Sequence, residues 1–259
     1  MSVSSLAEAR GRAFIDGDTM PSADLAARAE RLNRLYEGVS GTELLRSMIG
    51  REFAGKIALV SSFGAESSVL LHLAAEVDPS IPVIFLDTGK LFGETLRYRD
   101  KLAEQLGLTD VRSVKPLKED EDRLDPQGIL WSQDTDACCA FRKVEPLNRA
   151  LEGFDAWITG RKRFQSASRA AIPLVEATST HIKINPLAAW GEDDVKAHMA
   201  RHDLPAHPLV EDGYLSIGCM PCTDRVAPGA DPRSGRWSGQ DKTECGIHVP
   251  ETFADGGGI

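Results

Sequence analysis

Apolar and polar positions alternate along this chain in two distinct rhythms. "SADLAARAERLNRLYEGV" places apolar residues at helical spacing and belongs to a helical region expected over residues 1–50, packed on a core built later. "KIALVSS" is a short apolar run that stops at small polar residues, as a buried strand does, and "ESSVLLHLAAEV" then returns to helical spacing. "IPVIFLDTG" predicts a second strand, and "LFGETLRYRDKLAEQLGL" a second helix closed by Gly107. "VRSVKP" predicts a third strand, and "FDAWITG" and "HIKINPL" two more. "GEDDVKAHMARHDL" predicts a helix between Gly191 and Pro205. Strands alternating with helices imply an α/β layer fold with a mostly parallel sheet.

Ligands of such sheets bind beyond the carboxyl ends of the strands, which singles out "SSFGAESS", "DTG" and "ITGRKR". From Pro228 onward the texture changes to "PGADPRSGRWSGQDKTECGIHVPETFADGGGI", rich in glycine and poor in core residues. This reads as a flexible tail or lid over 228–259, following a single core domain at 51–227.

Composition narrows the function classes. The 259 residues are 42% hydrophobic and 27% charged, enough for one full core. No apolar run is long enough for a bilayer, and the N-terminus lacks the apolar stretch of an export signal, so a cytoplasmic location is expected. A formal net charge of -9 argues against broad nucleic-acid binding, while local basic patches can still hold a small anion.

"SSFGAESS" sits between a strand and a helix, where small residues and a helix N-terminus favour an anion. It is neither G-x-x-x-x-G-K-[ST] nor G-x-G-x-x-G. A plain strand-to-helix turn capped by Ser61 or Ser62 is the competing reading. Asp87, Thr88 and Gly89 at the next strand end would lie beside it. Arg161, Lys162, Arg163 and Arg169 follow a strand, and Arg233, Arg236 and Lys242 lie in the tail. Together they could form one anion site when the tail closes, although solvated loop charge explains any one of them. His181, His198, His202 and His207 fall in no ligand spacing and read as solvated or structural.

The five cysteines are Cys138, Cys139, Cys219, Cys222 and Cys245. An odd count without an export signal makes a disulfide framework the weaker reading. Two close pairs and one outlier suggest a metal site and a separate reactive thiol. A vicinal pair is awkward for one tetrahedral zinc, yet spacing alone leaves iron–sulfur, zinc and redox thiols open. Lys143 lies one helical turn beyond Cys139 and could face the same site.

"SSFGAES", "CC-x-x-R-K-V-x-P-L", "ITG-x-x-x-x-Q-S", "KINPLA", "IGC-x-P-CT", "GRW" and "ECGIH" occur in this order. Together, from about residue 50 to 248, they resemble the assimilatory adenylyl-sulfate (APS) reductases, the iron–sulfur branch of the sulfonucleotide (APS/PAPS) reductase family. The resemblance implies a PP-loop, adenine-nucleotide α-hydrolase-like three-layer fold. It implies one [4Fe–4S] cluster on Cys138, Cys139, Cys219 and Cys222, with Lys143 between cluster and substrate. Substrate contacts carried over are Ser61, Ser62, Phe63, Gly64, Ala65, Glu66, Ser67, Gly160, Arg169, Arg233 and Arg236, with Asp87 and Thr88 beside the loop. Cys245 matches the nucleophile and His248 its neighbour.

The implied reaction is reduction of APS to sulfite and AMP through an S-sulfocysteine on Cys245, in sulfate assimilation and cysteine biosynthesis. Thioredoxin or glutaredoxin would be a separate electron donor. The cluster cysteines favour APS over 3′-phosphoadenylyl sulfate (PAPS), and homo-oligomerisation stays open. Two departures stand out: Phe164 occupies a usually acidic position, and Arg169 aligns only with a one-residue gap. The rival readings are a PP-loop tRNA-thiolating enzyme, whose loop would keep a glycine and an aspartate where Phe63 and Glu66 stand, and a non-catalytic metal- and nucleotide-binding module.

Overall fold

A computed structural model describes residues 21–240 and 242–248; residues 1–20 of the expected helical region and 249–259 of the expected tail lie outside it. Six strands form one sheet in the order β3-β2-β1-β4-β6-β5: β1 Ile57–Val60, β2 Val83–Leu86, β3 Val111–Val114, β4 Ala156–Ile158, β5 Val175–Ala177 and β6 Ile182–Ile184. All neighbours pair in parallel except β5, which runs antiparallel to β6. The order reverses at β1, with β2 on one side and β4 on the other. That is the switch point where an open α/β sheet leaves a crevice at its carboxyl edge.

Alternation along the strands sends side chains to two cores. Ile57 and Leu59 join the larger one, shared with helices α1 (Ala23–Leu35), α2 (Gly41–Ser47), α3 (Ser67–Val77) and α4 (Gly93–Leu106). Ala58 and Trp157 instead pack with Leu147 and Leu151 on the opposite face. The result is the expected three-layer α/β arrangement. Between β3 and β4 lie α5 (Lys118–Leu124), α6 (Leu130–Gln133), α7 (Thr135–Cys139), a π turn at Ala140–Val144 and α8 (Glu145–Leu151). The last helix is α9 (Glu192–Arg201). Gly107 ends α4 at φ 65°, the left-handed geometry that glycine adopts at no steric cost.

β5 is absent from the sequence expectations because three residues after a proline give no periodicity to read. Its outer edge is sealed by a remote side chain. Asn33 of α1 accepts from Val175 N (3.0 Å) and donates to Val175 O (2.7 Å), completing the ladder that an edge strand leaves open.

Candidate active site

A cleft of about 230 Å³ opens at the carboxyl ends of β1, β2 and β4. Its floor is the turn between β1 and α3. Ser61 Oγ accepts from Phe63 N at 3.1 Å, and Phe63 takes φ 48°, a conformation costing a non-glycine residue about 1–2 kcal/mol. Its ring is fully buried, edge-on to Phe85 at 5.4 Å, and burying a phenylalanine contributes about 1.5–3 kcal/mol. Burial therefore offsets the strain. The inward turn of Phe63 pulls the chain back and leaves Ser61, Ser62, Gly64, Ala65, Glu66 and Ser67 lining the cleft.

Two expectations change here. Phe63 lines the core and not the cleft. The helix cap is Glu66, without a side-chain bond, so neither Ser61 nor Ser62 caps α3. The dipole end of α3 faces the cleft with no side chain spent on it. Thr88 lines the cleft as well, whereas Asp87 turns to Gly89 N (3.1 Å) and Lys115 (3.4 Å).

The basic residues after β4 divide into two sets. Arg161 is tied to Glu176 and, at 3.1 Å, to Asn185. Lys162 is buried, donates to Glu66 (2.8 Å) and Gly160 O (3.1 Å), and burial lowers its pKa. Both line the cleft, but with their charge already matched. Arg163 bonds Ile172 O, and Lys242 pairs with Asp136; neither lines the cleft. Arg169, Arg233 and Arg236 do line it. Phe164 is exposed and outside the cleft. Gln165 does the polar work next to it, accepting from Arg169 (2.6 Å) and Lys162 N (3.1 Å) and donating to Glu66 (2.9 Å).

Arg233, Arg236, Trp237, Glu244, Cys245, Ile247 and His248 bring the tail segment onto the cleft. Asp224 N bonds Gly235 O (2.7 Å) and Trp237 N bonds Cys222 O (3.1 Å), folding this segment back on the cysteine loop. Glu244 lies across the arginines: both its oxygens take bonds from Arg169 (2.7 and 2.8 Å), and one takes a third from Arg233 (3.2 Å). Glu244 and Gln165 fall inside "ECGIH" and "ITG-x-x-x-x-Q-S", but no spacing marked either as a cleft residue. Gly246, at φ 46°, brings the chain so near the π turn that a Cβ there would stand 2.9 Å from Val144 Cγ2. Cys245 lines the cleft beside it.

Ile247 packs with Trp157, and the His248 ring stacks on that indole at 5.9 Å and 9°. Burial first, then Arg161, Lys183 and other cations, push the His248 pKa well below its usual value. It stands as a neutral imidazole, with Nδ1 buried and unpartnered. The positive neighbours of Cys245 are therefore arginines and Lys143, with no imidazolium among them.

The four paired cysteines come together from two segments. Asp134 caps α7 by accepting from Ala137 N (2.9 Å), which starts the turn bearing Cys138 and Cys139. Cys219 bridges to Leu91, Met220 N bonds Lys90 O (2.7 Å), and Thr88 Oγ1 lies 3.3 Å from Cys219 Sγ. Arg142 anchors the first segment to α5 and the β2 end: it is buried and donates to Thr88 O (2.8 Å), Glu121 (2.9 Å) and Asp125 (2.8 Å). All four cysteines line one small cavity with Lys143, and none is in a disulfide. Burial pushes Cys138 up to about 12, whereas for Cys219 Lys143 and Thr88 outweigh burial and bring its pKa down. Lys143 and Cys219 line both this cavity and the cleft, so they form the wall between them.

A single tetrahedral zinc would draw its sulfurs to about 3.8 Å from one another. Among the described residues, one group of at least three His, Cys, Asp or Glu ligand atoms lies mutually within 4.8 Å, and it contains no cysteine. Four thiols from two segments on one cavity, two of them vicinal, fit a polynuclear centre whose metals can each take one.

Residues 56–225 match the family model of the phosphoadenosine phosphosulfate reductase domain. An adenosine 5′-phosphosulfate reductase of Mesorhizobium japonicum is 53% identical over 225 residues, covering 87% of this chain and 89% of that protein. A phosphoadenosine 5′-phosphosulfate reductase of Gloeobacter violaceus is 43% identical, covering 85% and 93%. The crystal structure of phosphoadenylyl-sulfate reductase from Candida auris, a phosphate complex, superposes with a TM-score of 0.65 at 28% identity, over 81% of this chain and all of that one. With its cleft at the β1 switch point and a match spanning most of the sheet, this chain belongs to the phosphoadenosine phosphosulfate reductase family.

Proposed function

We propose that this protein reduces APS to AMP and sulfite, with Cys245 as nucleophile. The observation that supports this best is the placement of Cys245 in a cleft with Arg169, Arg233, Arg236 and Lys143, next to a helix N-terminus. The Cys245 thiolate attacks the sulfur of APS; the S–O bond to phosphate breaks, and AMP leaves with that electron pair. Cys245–S–SO₃⁻ remains. A protein dithiol of the thioredoxin or glutaredoxin class then attacks the Cys245 sulfur, and sulfite leaves with the S–S electron pair. The partner's second thiol resolves the mixed disulfide and frees Cys245, so two electrons pass from dithiol to sulfur. Arg and Lys offset charge on the transferring sulfonate. Neutral His248 can accept a hydrogen bond through Nδ1 without adding charge.

Cys138, Cys139, Cys219 and Cys222 would hold a [4Fe–4S] cluster, consistent with their free thiols and the single cavity they line. When bound, the cluster fixes the two cysteine segments and adds a charged group behind the wall. Lys143 stands in that wall, with its charge acting on Cys219 and Cys139 as well as on Cys245. Three relatives at 38–53% identity carry the name adenosine 5′-phosphosulfate reductase. PAPS is the alternative substrate, supported by the name of the Gloeobacter violaceus relative. Such a reaction belongs to sulfate assimilation toward cysteine in the cytoplasm; among the described residues no helix is long and apolar enough to cross a membrane.

The test uses APS and PAPS labelled with ³⁵S and a reduced thioredoxin. Wild-type protein should release labelled sulfite from APS in preference to PAPS and retain label on Cys245 when reductant is withheld. Cys245→Ser should do neither. Label retained by that variant refutes the mechanism.

A further inference from the structure

Away from the cleft, α3 and α9 meet through side chains that the reaction above does not use. His72 and Glu76 stand one turn apart on α3, and His198 and His202 one turn apart at the end of α9. Positions four apart share one helix face, so each helix offers a pair to the other. His72 Nδ1 lies 3.2 Å from His198 Nε2 and 3.9 Å from Glu76 Oε2. The His202 ring centroid lies 4.4 Å from both His72 and His198. One ligand atom each from His72, Glu76 and His202 falls within 4.8 Å of the others. None of these residues lines the cleft or the cysteine cavity.

We propose that His72, Glu76, His198 and His202 form a second metal site, which takes a divalent ion of the zinc class. Three imidazoles and a carboxylate suit a borderline cation better than magnesium or calcium, which prefer oxygen. Zinc–nitrogen bonds of 2.0–2.1 Å place two ligand nitrogens about 3.3 Å apart in a tetrahedron. The His72–His198 separation already has that edge length. Glu76 is exposed and needs only a rotamer change to close on the ion. Its carboxylate also accepts from Thr42 Oγ1 at 3.4 Å, the kind of outer contact that orients a metal ligand. Metal binding requires unprotonated imidazoles. Burial holds His72 below its usual value, and burial with the two facing histidines brings His198 down to about 4. The ion would clamp α9 to α3, the helix whose N-terminus floors the cleft.

The experiment takes anaerobically purified full-length protein with its iron intact, washed briefly with chelator. It titrates Zn²⁺ against a chromophoric competitor and compares wild type with His72→Gln/His202→Gln. Wild type should take up one more equivalent of Zn²⁺ than the variant, at unchanged iron content. Co²⁺ in its place should give weak visible bands without thiolate charge transfer. Zn²⁺ at roughly 100-fold above Kd should raise the melting temperature of wild type alone. His202→Gln, at the helix end, serves if the double variant does not fold. Equal zinc uptake by wild type and variant, or a Co²⁺ spectrum with thiolate charge transfer, overturns the proposal.

Discussion

Gly246→Ala tests whether the seated tail delivers Cys245. Alanine at φ 46° costs about 1 kcal/mol or somewhat more in the left-handed region. Its Cβ would meet Val144 Cγ2 at 2.9 Å, so one of the two must move by roughly half an ångström. Val144 is buried and β-branched with stiff χ1, and overpacking of this kind costs about 1–3 kcal/mol. The two effects add to roughly 2–4 kcal/mol against the seated tail, or about 30- to 900-fold in its population. Single-turnover formation of the ³⁵S adduct should slow by that factor. Iron content and melting temperature should stay as in wild type, because Gly246 is exposed and outside the core. Val144→Ala in the same chain removes the clash and leaves the backbone cost, so it should recover roughly half to three quarters of the loss on a logarithmic scale. Adduct formation by Gly246→Ala at the wild-type rate would show that Cys245 reacts from some other position.

Lys143→Met keeps the length of the side chain and removes its charge from the wall of the cleft; kcat/KM for APS should fall on the order of 10²-fold with iron retained, by sulfite release and iron analysis. Asp125→Asn breaks a buried pair with Arg142, whose side chains are 2% and 5% exposed. A loss of about 3–5 kcal/mol is expected, read as a lower urea midpoint, with iron released more readily because Arg142 anchors the Cys138–Cys139 segment to α5 and the β2 end. His248 supplies a pH dependence. Its seated pKa lies below its free value, so the released tail binds the proton and seating weakens as pH falls below about 6.5. Protection of the tail from a protease should therefore decline between neutral and mildly acidic pH in wild type and stay level in His248→Gln.

The strand ends were legible because each is an apolar run that stops at small polar residues, and that pattern needs only neighbours in the chain. Cys138, Cys139, Cys219, Cys222, Lys143 and Cys245 were legible because sulfur is rare here and clustered. Charge matching was not. Lys162 reads as an anion ligand until Glu66, 96 residues away, is seen to hold it. The same distance problem hid the histidines: His198 finds His72 across 126 residues. Phe63 sits in a motif that looks substrate-facing, yet a hydrophobic ring at a strand end has a core behind it to fill.

On the mechanism proposed above, the grip of Glu244 on Arg169 and Arg233 would impose an order on the catalytic cycle. Those guanidiniums can serve the tail's carboxylate or an incoming anion, and one fork cannot serve both in full. An incoming anion would thus displace the Glu244 carboxylate while Cys245 stays in the cleft, and until then that carboxylate neutralises Arg169 and Arg233. An abundant inorganic anion has to outcompete a tethered carboxylate, whereas a nucleotide with further contacts along the β1 loop can do so at low concentration. In the proposed reaction, the carboxylate next to Cys245 would work as a sieve.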